Sequence, residues 1–150
     1  MNFELIKRRY SVNTRELIKK ALEAQKKAYV PYSNFHVGAA LLTENDEIFT
    51  GCNIEIASYS PTLCAERTAI FKAISEGHKK IKAIAVVGDA DFTYPCGVCR
   101  QVIREFGKDA IIIIANSEDE YREYKLEELL PHSFGPEDLA ESDTRSEKNV

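Results

Sequence analysis

Along the 150 residues the spacing of apolar positions changes several times, and each change predicts an element. Residues 1–12 are polar and basic without a sustained period, so a loosely held arm is expected. Asn13 with Glu16 reads as a capping box opening a helix. Leu17, Ile18, Ala21, Leu22, Ala24 and Ala28 form its apolar face, and Pro31 is expected to stop it. A strand over His36–Thr43, the turn Asn45-Asp46-Glu47 and a strand over Ile48–Asn53 make a hairpin. A helix follows, with Ser60 and Thr62 as candidate N-caps, Ala65, Ala69, Ile70, Ala73 and Ile74 as its apolar positions, and Gly77 closing it. Lys82–Gly88 contains Ile84-Ala85-Val86-Val87, a run suited to a strand buried on both faces. Pro95 introduces a second helix through Val98, Val102, Ile103 and Phe106 to Gly107. Ala110–Ala115 is another buried strand, Tyr121–Lys125 an edge strand, and Leu126–Leu130 a short helix ended by Pro131. Strands alternating with helices predict an α/β fold: a three-layer sandwich, a mixed sheet of about five strands flanked by helices, with its site at strand carboxyl ends. Residues 1–140 are expected to form a single domain, and 141–150, nearly without apolar content, a disordered tail.

Charge and cysteine content narrow the classes. Twenty Lys and Arg mix with 24 Asp and Glu for a net charge of −4, with no basic stripe for a phosphate backbone. A nucleic acid polymer is therefore not an expected partner. Only four cysteines occur, which argues against a secreted disulfide scaffold and for a reducing compartment. The charged N-terminus does not read as a signal peptide, and no apolar run has membrane-spanning length. A soluble cytoplasmic protein without a membrane partner is expected.

The candidate chemistry sits in two short stretches, Cys64-Ala65-Glu66-Arg67 and Pro95-Cys96-Gly97-Val98-Cys99, with 31 residues between Cys64 and Cys96. Each begins a predicted helix, where the positive end of the macrodipole favours thiolate over thiol. Cys64, Cys96 and Cys99 thus form a cradle for a soft divalent metal, and Zn²⁺ fits best. Three protein ligands are the mark of a catalytic zinc, which keeps a position for water, whereas structural sites are closed by four. None of His36, His78 and His132 is spaced as a fourth ligand, and isolated Cys52 reads as a small residue at a strand end. Glu66, two residues after the first ligand, is then placed to move protons without binding the metal.

Cys64-Ala65-Glu66 with Pro95-Cys96-Gly97-Val98-Cys99-Arg100-Gln101 resembles the zinc-dependent cytidine deaminases in their all-cysteine form. The flanks Tyr32-Ser33-Asn34-Phe35-His36-Val37-Gly38-Ala39-Ala40 and Gly51-Cys52-Asn53-Ile54-Glu55 carry the likeness further, over about residues 14–140. Within the superfamily the chain is similar to the short homotetrameric enzymes acting on free nucleosides. The resemblance implies a cytidine-deaminase-like fold and hydrolytic deamination of cytidine and 2′-deoxycytidine in pyrimidine salvage, without an organic cofactor. It implies that Phe35 stacks on the pyrimidine, that Asn53 and Glu55 grip the ribose hydroxyls, and that the Ala65 N–H serves the pyrimidine carbonyl. Taken alone, Phe35 would be core and the Asn53–Glu55 pair solvated surface. Phe134, by composition a packing residue, is implied to reach the active site of a neighbouring subunit. Ile56 departs from the pattern, since many relatives carry Asn there. Three thiolates with Zn²⁺ leave one negative charge. Arg67, one helical turn from Cys64, is placed to donate to the sulfurs, and Arg100 and Gln101 are candidates for the same task.

Three rival readings remain at this point. A non-catalytic zinc module would need Cys52 as fourth ligand and leaves Glu66 unexplained. A related deaminase would act on a modified nucleoside or a polymer. A Cys-x-x-Cys redox protein fits poorly with the separate Cys64-Ala65-Glu66.

Overall fold

Alternation of side chains along the strands sets the layers. In the computed structural model, which describes residues 2–10 and 12–140, the elements run in chain order as α1 (Phe3–Tyr10), α2 (Thr14–Gln25), β1 (Val37–Thr43), β2 (Ile48–Cys52), α3 (Ala65–Ser75), β3 (Ile81–Gly88), α4 (Gly97–Phe106), β4 (Ile111–Ala115), β5 (Tyr121–Lys125) and α5 (Leu126–Leu129). The strands form one five-stranded sheet in the order β2-β1-β3-β4-β5. β1 is antiparallel to both neighbours, β3 and β4 are parallel, and β5 is antiparallel to β4. This is the mixed, helix-flanked sheet that the sequence predicts.

The two faces are packed differently. Leu41, Ile84, Val86, Ile112 and Ile114 bury against Ala65, Ala69, Ile70 and Ala73 of α3 and Ile103 of α4. On the other face Ala40, Ala83 and Ala85, with Ile111 and Ile113, meet Leu17, Ile18 and Ala21 of α2. Small residues on that side let α2 lie close. A Cβ at Gly38 would stand 2.0 Å from the Ala21 carbonyl oxygen. The four successive isoleucines of β4 divide between the layers, so none is exposed.

Topology then fixes where the site lies. β2 and β3 flank β1 and run parallel to each other, and α3 follows β2 while α4 follows β3. Both helices cover the same face, so their N-termini meet at the carboxyl edge of β2 and β3. The amino end of β1, which Phe35 precedes, lies at that same edge.

Several expectations are corrected. Residues 3–10 are helix α1 rather than a loose arm. Phe3 packs on the α2-side core, and Lys7 pairs with Glu123 and lies over the Tyr121 ring. Helix α2 is capped by Asn13, which accepts from the Glu16 N–H at 3.1 Å, but it ends at Gln25, well before Pro31. The backbone departs there for another reason: the Tyr29 N–H donates to the Asn53 carbonyl and a bridge joins Tyr29 to Ile54. Neither Ser60 nor Thr62 caps α3. The N-cap is Cys64 itself, and the Thr62 hydroxyl accepts from Ile56 N–H instead. The expected tail at 141–150 lies outside the described residues.

Gly51 lies directly against the backbone of α3: a Cβ there would stand 2.5 Å from both Ala65 O and Ala69 N. Backbone cannot give as a side chain can. Gly51→Ala should therefore lower unfolding free energy by about 1–3 kcal/mol through overpacking. Urea titration checks this, and a parent-like midpoint would show that α3 sits less tightly on β2.

Candidate active site

Cysteine is an unusual N-cap, because its side chain does not replace the missing hydrogen bonds of the first turn. Both Cys64 and Cys96 occupy that position in extended backbone, and neither makes a side-chain cap bond. The first intrahelical bonds are Thr68 N–H to Cys64 O and Arg100 N–H to Cys96 O, each 3.0 Å. The N–H groups of Ala65, Glu66, Arg67, Gly97, Val98 and Cys99 precede these bonds and leave the edge electropositive.

Three sulfurs gather there. Cys64, Cys96 and Cys99 place their Sγ atoms within 4.8 Å of one another, and Cys64 and Cys96 are 3.8 Å apart. Zn–S bonds of about 2.3 Å at tetrahedral angles give an edge of about 3.8 Å, so the donor set fits zinc in chemistry and in size. Cys52, half-buried at the end of β2, is not in this group among the described residues. The structural module that required it as a fourth ligand has no support.

The charges around the sulfurs are coupled. Arg67 Nη2 donates to Cys64 Sγ at 3.3 Å. The Cys64 thiol is drawn down to about 5, first by the hydrogen bond from Cys99 and then by Arg67. Cys99, buried and acting as that donor, is pushed up. Arg67 in turn holds its proton more tightly through Cys64 and Cys99. Glu66 is only 3% exposed. Burial, followed by the negative charge at Cys64, pushes its carboxyl up to about 7. A carboxyl poised there exchanges protons in either direction near neutral pH.

The remaining candidates are distributed around this edge. Phe35 is half-buried just before β1. Asn53 has its amide engaged with backbone: Oδ1 accepts from Val37 N–H at 2.9 Å and Nδ2 donates to Phe35 O at 2.8 Å. It clamps the segment that carries Phe35. Glu55 Oε1 accepts from the N–H groups of Tyr32 and Ser33, both at 3.0 Å. The Ser33 hydroxyl and N–H hold the Glu55 carboxyl below the usual range. Ala65 is fully buried at the first position of α3. Phe134 is 61% exposed, and Ile56 is exposed beside the Glu55 loop.

Two expected sulfur donors go elsewhere. Arg100 donates to Pro95 O at 2.8 Å and Leu129 O at 2.7 Å, and Gln101 donates to Phe134 O at 2.9 Å. Arg100 stands one turn from Cys96, as Arg67 does from Cys64, but its guanidinium is taken by the Pro95 and Leu129 carbonyls and the Gln101 amide by the Phe134 carbonyl.

Other residues of this edge were missed. Tyr32, Ser33, Tyr59 and Thr62 line a cleft of about 360 Å³ with Glu55, and Tyr32 and Tyr59 pack edge to face at 5.9 Å. Asp89 accepts from His36 N–H at 2.7 Å and lies 2.9 Å from His36 Nδ1, while Gln25 reaches His36 O and Asp89. This brace fixes the chain beside Phe35. Tyr32 and Ser33 lie within a quoted flank, but nothing in the sequence joins Gln25, His36 and Asp89.

The family model for the cytidine and deoxycytidylate deaminase zinc-binding region matches residues 11–115. The chain belongs to this deaminase family. It is 47% identical over 131 residues to a cytidine deaminase of Sporosarcina psychrophila, covering 86% of this chain and 96% of that one. A cytidine deaminase of Halalkalibacterium halodurans is 50% identical over 125 residues, covering 82% and 95% respectively. Among solved structures, the cytidine deaminase of Burkholderia pseudomallei aligns with a TM-score of 0.78 at 45% identity, over 82% of this chain and all of that one. These likenesses, with the observed sheet, place the chain in the deaminase fold.

Within this deaminase the Asn53 amide is the simplest element to test. Asn53→Ala would leave Val37 N–H and Phe35 O, part-buried, without partners, at about 1–3 kcal/mol of stability. A thermal or urea midpoint equal to the parent's would mean water replaces the clamp.

Proposed function

We propose that the chain is a zinc-dependent hydrolase that converts cytidine and 2′-deoxycytidine, with water, to uridine and 2′-deoxyuridine plus ammonia. The observation that carries this is the buried Glu66 beside three sulfurs spaced for zinc, with no fourth cysteine among them. Zinc, when bound, supplies the Lewis acidity that makes water nucleophilic near neutral pH. Glu66 accepts the proton released by that water and delivers it to ring N3. It then takes the second proton, from the hydroxyl now on C4, and passes it to the amino group, so that the C4–N bond breaks, ammonia leaves and the C4–O bond becomes the carbonyl. Its carboxyl near 7 supports both directions of transfer.

The other residues orient and balance. Phe35 offers its face to the pyrimidine, held by the Asn53 clamp and the His36–Asp89 brace. The Ala65 N–H, unused within α3, donates to the pyrimidine carbonyl. Glu55 has one oxygen, Oε2, outside its bonds to the Tyr32 and Ser33 N–H groups, and this oxygen accepts from a ribose hydroxyl. Asn53 joins it through the hydrogen-bonding capacity left on its amide. Arg67 offsets the net negative charge of zinc with three thiolates, a role supported by its bond to Cys64. On this reading Arg67→Ala holds zinc less well than Arg67→Gln in a chelator competition, and equal retention would remove the role.

We further propose a homotetramer in which Phe134 completes a neighbour's site; the exposure of Phe134, Tyr59 and Ile54 supports an assembly that covers them. Among the described residues no helix is long and apolar enough to cross a membrane. Thiol ligands favour a reducing cytoplasm, where the enzyme serves pyrimidine salvage.

Loss of ultraviolet absorbance with each nucleoside tests the activity directly. Purified protein is expected to carry about one zinc per chain, and Cys96→Ala to lose both metal and turnover. Glu66→Gln is expected to retain zinc and nucleoside binding while kcat falls at least about 100-fold. Full turnover by metal-free protein would overturn the zinc assignment; loss of zinc in Glu66→Gln would make Glu66 structural.

Assembly has its own test. Mixing inactive Glu66→Gln with weakly active Phe134→Ala should restore activity in hybrids, measured alongside subunit exchange. Exchange without restoration means that Phe134 acts within its own chain.

A further inference from the structure

Phe134 has little burial of its own to hold it, yet the segment that carries it is firmly fastened. Most of the fastening comes from one helix, α4, with Lys108 just beyond its end. Gln101 Nε2 donates to Phe134 O at 2.9 Å. Arg104 Nε donates to Ser133 Oγ at 2.8 Å, and its Nη2 donates to Glu137 Oε1 at 2.5 Å. Lys108 Nζ reaches the same carboxylate oxygen at 3.0 Å. Gly135 lies so close to the guanidinium that a Cβ there would stand 2.5 Å from Arg104 Nη2. The Gly135 N–H also donates to Asp138 Oδ2 at 2.7 Å, closing the turn.

Phe134 therefore sits between two anchors, Ser133 before it and Glu137 after it, both gripped by one guanidinium. Arg104 is a buried charge, its side chain 9% exposed, and Glu137 at 45% is its counter-ion. Removing the partner of a buried charge costs more than removing a surface pair. The Arg104 hydrogen bond, reinforced by Lys108, holds the Glu137 carboxyl down to about 2. Its folded value lies below its unfolded one, so the stabilisation is present above the usual carboxylate range and disappears only as pH falls through about 2. The Arg104–Glu137 pair therefore stays charged above the usual carboxylate range.

The geometry points to Arg104 and Glu137 as positioning residues: they set where the ring of Phe134 is presented to the nucleoside site. Cys99, Gln101 and Arg104 share one rigid helix, so the latch ties the position of Phe134 to the metal end of its own chain. The inference rests on the reading of Phe134 as a substrate contact. A merely structural latch would change stability; a positioning latch changes nucleoside affinity through Phe134.

A double-mutant cycle separates the two. Glu137→Gln removes the charge at an accessible position, keeps an acceptor, and leaves α4 intact. It is made in the parent and in Phe134→Ala, with kcat, KM for cytidine, zinc content and thermal midpoint measured for each. In the parent, Glu137→Gln is expected to raise KM about three- to tenfold with kcat within about twofold and zinc unchanged. In Phe134→Ala the same substitution should shift KM by less than about 1.5-fold. Arg104→Lys, which cannot grip Ser133 and Glu137 together, should repeat this pattern. Equal KM shifts in both backgrounds, or no shift in the parent, overturn the latch while leaving Phe134 in place. An active parent whose KM ignores Phe134→Ala overturns the reading of Phe134, and the latch with it.

Discussion

Everything at the candidate site depends on gathering three cysteine sulfurs at the edge of a buried sheet. Thiolates brought together repel one another and lose solvent, so the fold must supply positive charge where they meet. It does so with the uncapped first turns of α3 and α4 and with the guanidinium of Arg67. An ordinary Ser or Asp cap would satisfy those N–H groups and weaken the field. Cysteine at both N-cap positions leaves the donors free and puts sulfur where they point.

The core is arranged around that convergence. Gly51 lets α3 lie against β2, and Gly38 lets α2 lie against β1, in each case through backbone contact that no side chain would permit. With β1 between β2 and β3, the two crossover helices are forced onto neighbouring paths on one face. Glu66 is carried inward by the same turn that places Cys64. Its burial is then the main reason why its carboxyl rises into the range of proton exchange.

Helix α4 ties the site to the rest of the chain. Cys99 lies in its first turn and Arg100 ties Pro95 to Leu129, while Gln101 and Arg104 hold the segment from Ser133 to Glu137. A helix is stiff over such a length, so displacement at one end is felt at the other. The loop that delivers Cys96 and the segment that carries Phe134 are thereby referred to one body.

Much of this was legible in the chain itself. Periodicity predicted the sheet and most strand limits, because burial on one or both faces leaves a local pattern in β1, β3 and β4. The two cysteine motifs were legible because candidate ligands at a helix start are close in sequence, and Arg67 because one turn of helix fixes its distance from Cys64. Other features depended on partners remote in sequence. Residues 3–10 are held against the sheet by Lys7 on Glu123 and Tyr121, and the end of α2 follows the pairing of Tyr29 with Asn53 and Ile54. Arg100 looked like a sulfur donor from its place beside Cys99, but the carbonyl of Leu129 captures it. The brace of Gln25, His36 and Asp89, and the grip of Arg104 on Ser133 and Glu137, join positions that no local pattern relates. The sequence by itself determined which chemistry the chain carries, since reactivity follows residue type and short spacing. Only the tertiary structure decided which side chains hold that chemistry in place, because hydrogen bonds form between whatever the fold brings near.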